Sequence, residues 1–291
     1  MENLANSGAV RRLLEEAGFS FKKSLGQNFL INPSVCPRMA EAACASLAPD
    51  RPRGILEIGP GVGVLTVELA KLAHRVVAVE LDERLRPVLE KTLSGHPNAS
   101  VVFADAMKLD LRELIAREFS GMDVAVCANL PYYITSPLLM RLLESRLPVR
   151  SITVMVQKEA AVRLCARPGS REAGAVTAAV AYYAEPRILF TVSPGSFMPP
   201  PKVDSAVIQL GVRSCPPVSV TNEKAFFALV RAAFAQRRKT LVNSVSAALP
   251  AEKSVLLAAL EELGLPPAVR AEKLTLEQLA DLSNLLQDTV K

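Results

Sequence analysis

The chain has 291 residues, half of them apolar, and carries a net charge of +5 at pH 7. That length accommodates one large folded domain, or a large one with a small companion, and the composition excludes a low-complexity or disordered chain. No uncharged apolar run reaches the roughly 18 residues that would span a bilayer, and Glu2, Arg11, Arg12, Glu15 and Glu16 do not make a secretory leader.

Residues 1 to about 20 read as helix, with Leu13, Leu14 and Ala17 on one side. A polar, glycine-containing stretch from Lys22 to Leu30 follows, and the helical pattern returns from Pro33 to Leu47. At Gly54 an alternation begins. Ile55–Ile58 is a short buried strand that runs into Gly59-Pro60-Gly61-Val62-Gly63, and a helix follows with Leu65, Leu69 and Leu72 on one face. Arg75–Val79, Val101–Ala104, Met122–Ala128 and Ile152–Val156 are further strands, the last followed by a helix-like Lys158–Cys165. Strands and helices alternating at this spacing predict right-handed βαβ units and an α/β, doubly wound parallel sheet. Ile188–Val192 and Ser205–Leu210 are two more strand-like runs. Ser214-Cys215-Pro216-Pro217 reads as a linker, and from Thr221 the pattern is helical. Gly264 stops one helix before Pro266-Pro267, and Thr275 with Gln278 forms a capping box. The expected organisation is a domain over 1–213, with an amino-terminal helical and loop extension, and a small all-helical domain over 214–291.

Four successive strands end in a glycine loop, an acid or an amide: Gly59, Glu80, Asp105 and Asn129. In a parallel sheet these ends lie along one edge, so together they line one cleft. Asn129-Leu130-Pro131-Tyr132-Tyr133 sits at such an end, before Ser136-Pro137 opens a helix. Alone, the pentapeptide would read equally as a turn with aromatics in the core.

Cys36, Cys44, Cys127, Cys165 and Cys215 are odd in number and widely spaced. They point to reduced thiols in a cytoplasmic protein, not to disulfides or a zinc site. His74 and His96 are the two histidines; neither lies near a cysteine pair, so no metal and no Ser-His triad are expected. Arg141 to Arg171 holds seven basic residues against Glu144 and Glu159, and Lys22-Lys23 and Arg237-Arg238-Lys239 are tight clusters. Any one of these reads as a solvated face. Three on a basic protein favour a polyanion partner.

A dinucleotide fingerprint needs a third glycine three positions after the second, where this chain has Val64. That disfavours a nicotinamide-dependent oxidoreductase. Glu57-Ile58-Gly59-Pro60-Gly61-Val62-Gly63 resembles the first motif of S-adenosylmethionine-dependent methyltransferases. The resemblance implies that Gly59 and Gly61 pass close to the methionyl part, Glu80 holds the ribose, and Asp105 with Ala106 meets the adenine. Asn129-Leu130-Pro131-Tyr132 is similar to the motif of methyltransferases that modify exocyclic amines of bases. Lys23–Leu30, Phe197–Ser205 and Phe234–Leu241 all resemble the ribosomal RNA adenine dimethylases, a likeness running from about residue 20 to beyond 275. Asn-Leu-Pro-Tyr and Arg-Arg-Lys-Thr-Leu look most like the bacterial small-subunit branch; large-subunit enzymes more often carry isoleucine at the position of Leu130. One departure is Ala173, where relatives often have an aromatic.

The resemblance implies a Rossmann-like methyltransferase sheet, S-adenosyl-L-methionine as cofactor, and small-subunit ribosomal RNA, or the subunit or its precursor, as partner. It implies dimethylation of the N6 amines of two adjacent adenines. Asn28, Leu30 and Asn129 are expected to border the cofactor. Asn129 and the backbone of Leu130 or Pro131 offer acceptors to the amine, and Tyr132 a stacking face. Lys22, Lys23, Arg237, Arg238 and Lys239 are expected on RNA, with Phe197 a second stacking face for the base. Glu57 is expected to support the glycine loop, and Tyr133 to pack or to line the base pocket. A non-catalytic RNA-binding assembly factor on the same scaffold is the alternative from another class.

Overall fold

The structure, a computed structural model, describes residues 28–286 together with Gly8, Arg12, Leu13 and Glu15. Most of the expected amino-terminal helix, and Lys22 and Lys23, lie outside the described residues. In chain order come β1 (Phe29–Leu30), α1 (Val35–Ala45), β2 (Arg53–Ile58), α2 (Val64–Leu72), β3 (Arg75–Glu80) and α3 (Arg86–Leu93). Then follow β4 (Ala99–Phe103), α4 (Leu111–Glu118), β5 (Asp123–Asn129), α5 (Thr135–Glu144), β6 (Ser151–Gln157) and α6 (Lys158–Leu164). The rest are α7 (Ala175–Tyr183), β7 (Ala184–Val192), β8 (Phe197–Met198), β9 (Ser205–Val212), α8 (Glu223–Phe234), α9 (Leu241–Ala248), α10 (Lys253–Glu262) and α11 (Leu276–Leu285).

Seven strands form one sheet in the order β4-β3-β2-β5-β6-β9-β7. β2 pairs in parallel with β3 and β5, β3 with β4, and β5 with β6. β2, β3, β5 and β6 are apolar and buried along nearly their whole length, as strands covered by helices on both faces must be. β9 runs antiparallel to β6, with Ser205 opposite Gln157 and Ser151 opposite Gly211. The last two strand-like runs therefore close a mostly parallel sheet with an antiparallel arm. β1 and β8 form a separate two-residue pair, Phe29 opposite Met198 and Leu30 opposite Phe197.

Two compact units divide the chain: residues 1–161 with 186–212, and 162–185 with 213–291. Residues 162–185 group with the carboxyl-terminal helices, whereas the sequence reading placed a single boundary at 213/214. An aromatic cluster is the reason. Rings of Tyr182 and Tyr183 from α7 lie 5.2–5.4 Å from those of Phe226 and Phe227 on α8. Their hydroxyls donate to the Glu223 carboxylate at 3.2 and 2.7 Å. In the same unit α11 opens on a capping box in which Thr275 and Gln278 exchange bonds of 3.0 and 3.2 Å. Arg237, Arg238 and Lys239, which resembled part of a helix, occupy the exposed turn between α8 and α9. The helix stops there because the Gln236 N–H donates to Ser244 Oγ at 3.2 Å, and Thr240 caps the next helix.

Gly54 in β2 owes its identity to close packing: a Cβ there would lie 2.5 Å from Cδ1 of the buried Phe119 ring. Gly54→Ala should therefore cost about 1–3 kcal/mol by overpacking. Urea unfolding would read this as a lower midpoint at unchanged slope; an unchanged midpoint would mean that the ring swings clear at no cost.

Candidate active site

Parallel pairing brings the carboxyl ends of β2, β3, β4 and β5 to one edge, where they surround a cleft of about 1140 Å³ counted out to its open mouth. The turn after β2 is tight, with Gly63 N–H donating to the Pro60 carbonyl at 2.9 Å. Gly59, Gly61 and Gly63 have φ of +71°, +59° and +87°, a region that side chains disfavour. A Cβ on Gly61 would also sit 3.0 Å from the Phe29 ring. One on Gly63 would sit 2.9 Å from Thr92 of α3, so this glycine lets the start of α2 pack closely on that helix.

Glu80, at the end of β3, is 6% exposed. Its Oε2 accepts from the Gly61 N–H at 3.2 Å and its Oε1 from the Asp82 N–H at 2.8 Å. The carboxylate thus ties the glycine loop to its own turn while facing the cleft. Burial raises its pKa, and the backbone N–H groups oppose that rise. Asp105, just past β4, accepts from the Met107 N–H at 2.9 Å and lines the same cleft with Ala106.

Glu57 lies within β2, 1% exposed, and it also lines the cleft. Neither of its carboxylate oxygens has a hydrogen-bond partner, and Thr66 Oγ1 also lacks one. Burial pushes its pKa up to about 8; the Thr66 hydroxyl, outside good hydrogen-bonding geometry, pulls it down a little, and the Glu80 charge adds to the rise.

Asn129 ends β5, held in register opposite Met155 of β6. Its Nδ2 donates to the Asn28 carbonyl at 3.4 Å, which leaves Oδ1 as the acceptor on the cleft side. The Pro131 carbonyl already accepts from the Ile134 N–H at 3.1 Å and from Thr135 Oγ1 at 3.2 Å. Of the two backbone acceptors expected beside Asn129, the Leu130 carbonyl is the one not committed in this way. A turn Tyr132–Ile134 precedes α5, whose Leu138, Leu139, Leu142 and Leu143 are buried and anchor the loop with roughly 1.5–3 kcal/mol each. The Tyr132 hydroxyl meets Ser205 Oγ at 2.6 Å.

Comparison with known proteins agrees with this arrangement. A family model for ribosomal RNA adenine dimethylase matches residues 18–288. Proteins named ribosomal RNA small subunit methyltransferase A, from Geobacillus sp. (strain WCH70) and Bacillus mycoides (strain KBAB4), are each 47% identical over 290 residues, 98% of both chains. The chain belongs to the ribosomal RNA adenine dimethylase family. Among solved structures, a dimethyladenosine transferase from Plasmodium falciparum is 27% identical with a TM-score of 0.71, covering 90% of this chain and 98% of that one. The 23S rRNA methyltransferase ErmE is 30% identical with a TM-score of 0.67, covering 89% and 100%.

Every expected cofactor-site and amine-site residue of this family member lines the one cleft: Asn28, Leu30, Gly59, Gly61, Glu80, Asp105, Ala106, Asn129, Leu130, Pro131 and Tyr132. Phe197 lines it too, but from within: it is 3% exposed and paired with Leu30. Tyr133 is 57% exposed at the lining. Arg237, Arg238 and Lys239 belong to the other unit, where Arg237 Nη2 donates to the Arg171 carbonyl at 3.1 Å. Sequence reasoning missed Leu81, Met107 and Ile134, apolar residues of the lining; Leu81 directly follows the strand-end acid and was legible on that ground. It also gave no site role to Ser205, although this residue ends the family-like stretch Phe197–Ser205. Among the described residues no group of His, Cys, Asp and Glu could hold a metal ion.

The buried, unpaired Glu57 gives a signed pH dependence. The folded protein keeps this proton up to about pH 8, whereas the unfolded chain loses it near the ordinary 4.5. Stability from this group therefore falls as pH rises between those values, by at most about 1.4 kcal/mol per unit, and levels off above them. Glu57→Gln should remove that slope, so the variant's melting temperature gains on wild type from about pH 5 to about pH 8. Parallel melting curves would place Glu57 in a wetter, ordinary environment.

Proposed function

We propose that this chain transfers methyl groups from S-adenosyl-L-methionine to the N6 amines of two adjacent adenines in small-subunit ribosomal RNA, giving dimethyladenosine, in the cytoplasm. The observation that carries the chemistry is the end of β5, where Asn129, its Nδ2 bonded to the Asn28 carbonyl, and Leu130 line the cleft that Glu80 also lines. The choice of small-subunit RNA rests on relatives of that name at 47% identity, against 30% for the 23S enzyme. No helix among the described residues is long and apolar enough to cross a membrane.

The residues fit such a donor. Gly59 has nothing within 4 Å of where a Cβ would be, so its backbone is open to close approach from the cleft. Gly59 and Gly61 would border the methionyl part, Glu80 the ribose hydroxyls, and Asp105 with Ala106 the adenine; Asn28 and Leu30 would close the near side. Glu57 adds a buried acid with no partner in the same wall, suited to a cationic ligand. When bound, the donor supplies a methyl group activated by its sulfonium charge.

The chain's own task is to prepare the nucleophile. An adenine amine is weakly nucleophilic because its lone pair is delocalised into the ring. Hydrogen bonds accepted by Asn129 Oδ1 and the Leu130 carbonyl draw the nitrogen toward tetrahedral geometry and localise that pair. Pro131 removes a competing N–H and, through its doubly engaged carbonyl, stiffens the turn. The Tyr132 ring stacks on the base and aligns it. The product ammonium is acidic and gives its proton to water; the described lining contains no histidine to take it. After one methylation one N–H remains, and a single acceptor suffices to hold it while the methyl turns toward the open mouth.

Tritium transfer from labelled donor to unmethylated small subunits, then digestion and mass spectrometry, tests the reading: dimethyladenosine is the expected end product. A terminal monomethyl product at excess enzyme and donor would overturn the open-pocket argument. Asn129→Ala should bind donor nearly normally yet lose turnover worth about 2–4 kcal/mol, as for one oriented transition-state hydrogen bond. Near wild-type turnover would remove Asn129 from the mechanism. Replacing Arg237, Arg238 and Lys239 together should weaken RNA binding and lower its logarithmic salt slope by roughly 0.7 per lost contact on a single strand. An unchanged slope would limit them to solvating their turn.

A further inference from the structure

We propose that Ser205 is a positioning residue for the methylation reaction, fixing through one hydrogen bond to the Tyr132 hydroxyl the plane of the ring on which the target adenine stacks. This rests on the function proposed above and adds a residue to its site. Tyr132 is half-buried on a short turn that is held locally, by the Ile134 N–H and Thr135 Oγ1 on the Pro131 carbonyl and by the Thr135 N–H on Tyr132's own carbonyl. A tyrosine ring has two rotors, and a stacking platform is useful only when both are set. The tether at 2.6 Å is made at the edge of the ring, which leaves the two faces uninvolved.

The anchor itself belongs to an interior strand of the sheet, between β6 and β7. Ser205 is fully buried, stands 73 residues from Tyr132 in sequence and opens β9 in register with Gln157 of β6. Next to it the Lys158 N–H donates to the Asp204 carbonyl at 3.0 Å, and Lys158 Nζ pairs with Asp204 Oδ2 at 3.4 Å. These contacts clamp the end of β6 to the start of β9. The hydroxyl of Ser205 thus has a position set by the sheet, and Tyr132 borrows it. Burial raises the pKa of the Tyr132 phenol, and the bond to Ser205 pulls it back.

The test compares wild type, Tyr132→Phe, Ser205→Ala and the double variant on unmethylated small subunits at saturating S-adenosylmethionine. Each single variant should lower kcat about 3- to 10-fold, the size of one net hydrogen bond, with donor affinity unchanged and a similar small fall in melting temperature in both. The double variant should be no slower than either single, because both remove the same bond. A lowered kcat at unchanged donor affinity is what a merely structural role would not give, and a second readout reports the bond itself. With four tyrosines and no tryptophan in the chain, near-ultraviolet absorbance follows phenol ionisation cleanly. Ser205→Ala should shift one tyrosine to higher pH, and Tyr132→Phe should abolish that step. Wild-type kcat in Tyr132→Phe, or losses that multiply in the double variant, would overturn the inference while leaving the proposed function standing. If Ser205→Ala fails to fold, the kcat of Tyr132→Phe decides alone. Absence of any transfer by the wild-type enzyme would instead sink the function and the inference with it.

Discussion

Parallel pairing of four strands puts their carboxyl ends along a single edge, and the side chains of the cleft inherit their positions from that register. Gly59, Glu80, Asp105 and Asn129 come from segments of sequence about twenty residues apart, yet the ladder β4-β3-β2-β5 sets them side by side. A slip of one residue in any strand would turn its end group away from the cleft.

Within that frame, backbone donors and acceptors do much of the specification. Glu80 is held by N–H groups from the glycine loop and from its own turn, so a single carboxylate sets both the loop and the cleft wall. At Asn129 the amide nitrogen is occupied by Asn28, and the Pro131 carbonyl by Ile134 and Thr135. The proposed pair of acceptors for the amine, Asn129 Oδ1 and the Leu130 carbonyl, is what these bonds leave uncommitted.

Glu57 is the opposing case, a group whose environment works against it. A buried carboxyl without partners is costly in its charged form, and burial keeps it protonated well above the ordinary carboxylate range. Local stability and the charge of the site are therefore linked: a cation in the cleft favours the ionised form that the empty protein disfavours. Such a conflict between folding and binding is characteristic of functional sites.

Sequence by itself determined the alternation of elements, the strand-end residues and the capping box at Thr275. These follow from periodicity, from contiguous motifs and from the fixed hand of βαβ crossovers, all of which act over short stretches of chain. It also carried the family resemblance, because the motifs at 57–63, 129–132 and 234–241 are contiguous. Tertiary structure alone decided that β9 returns antiparallel to β6, that residues 162–185 join the helical unit through Tyr182 and Tyr183, and that Arg237–Lys239 form a turn. It alone assigned the Pro131 carbonyl to its own turn and joined Ser205 to Tyr132. Each of these depends on which distant groups satisfy one another's hydrogen bonds or share a buried surface, and neither a local pattern nor a residue's own propensity carries that information.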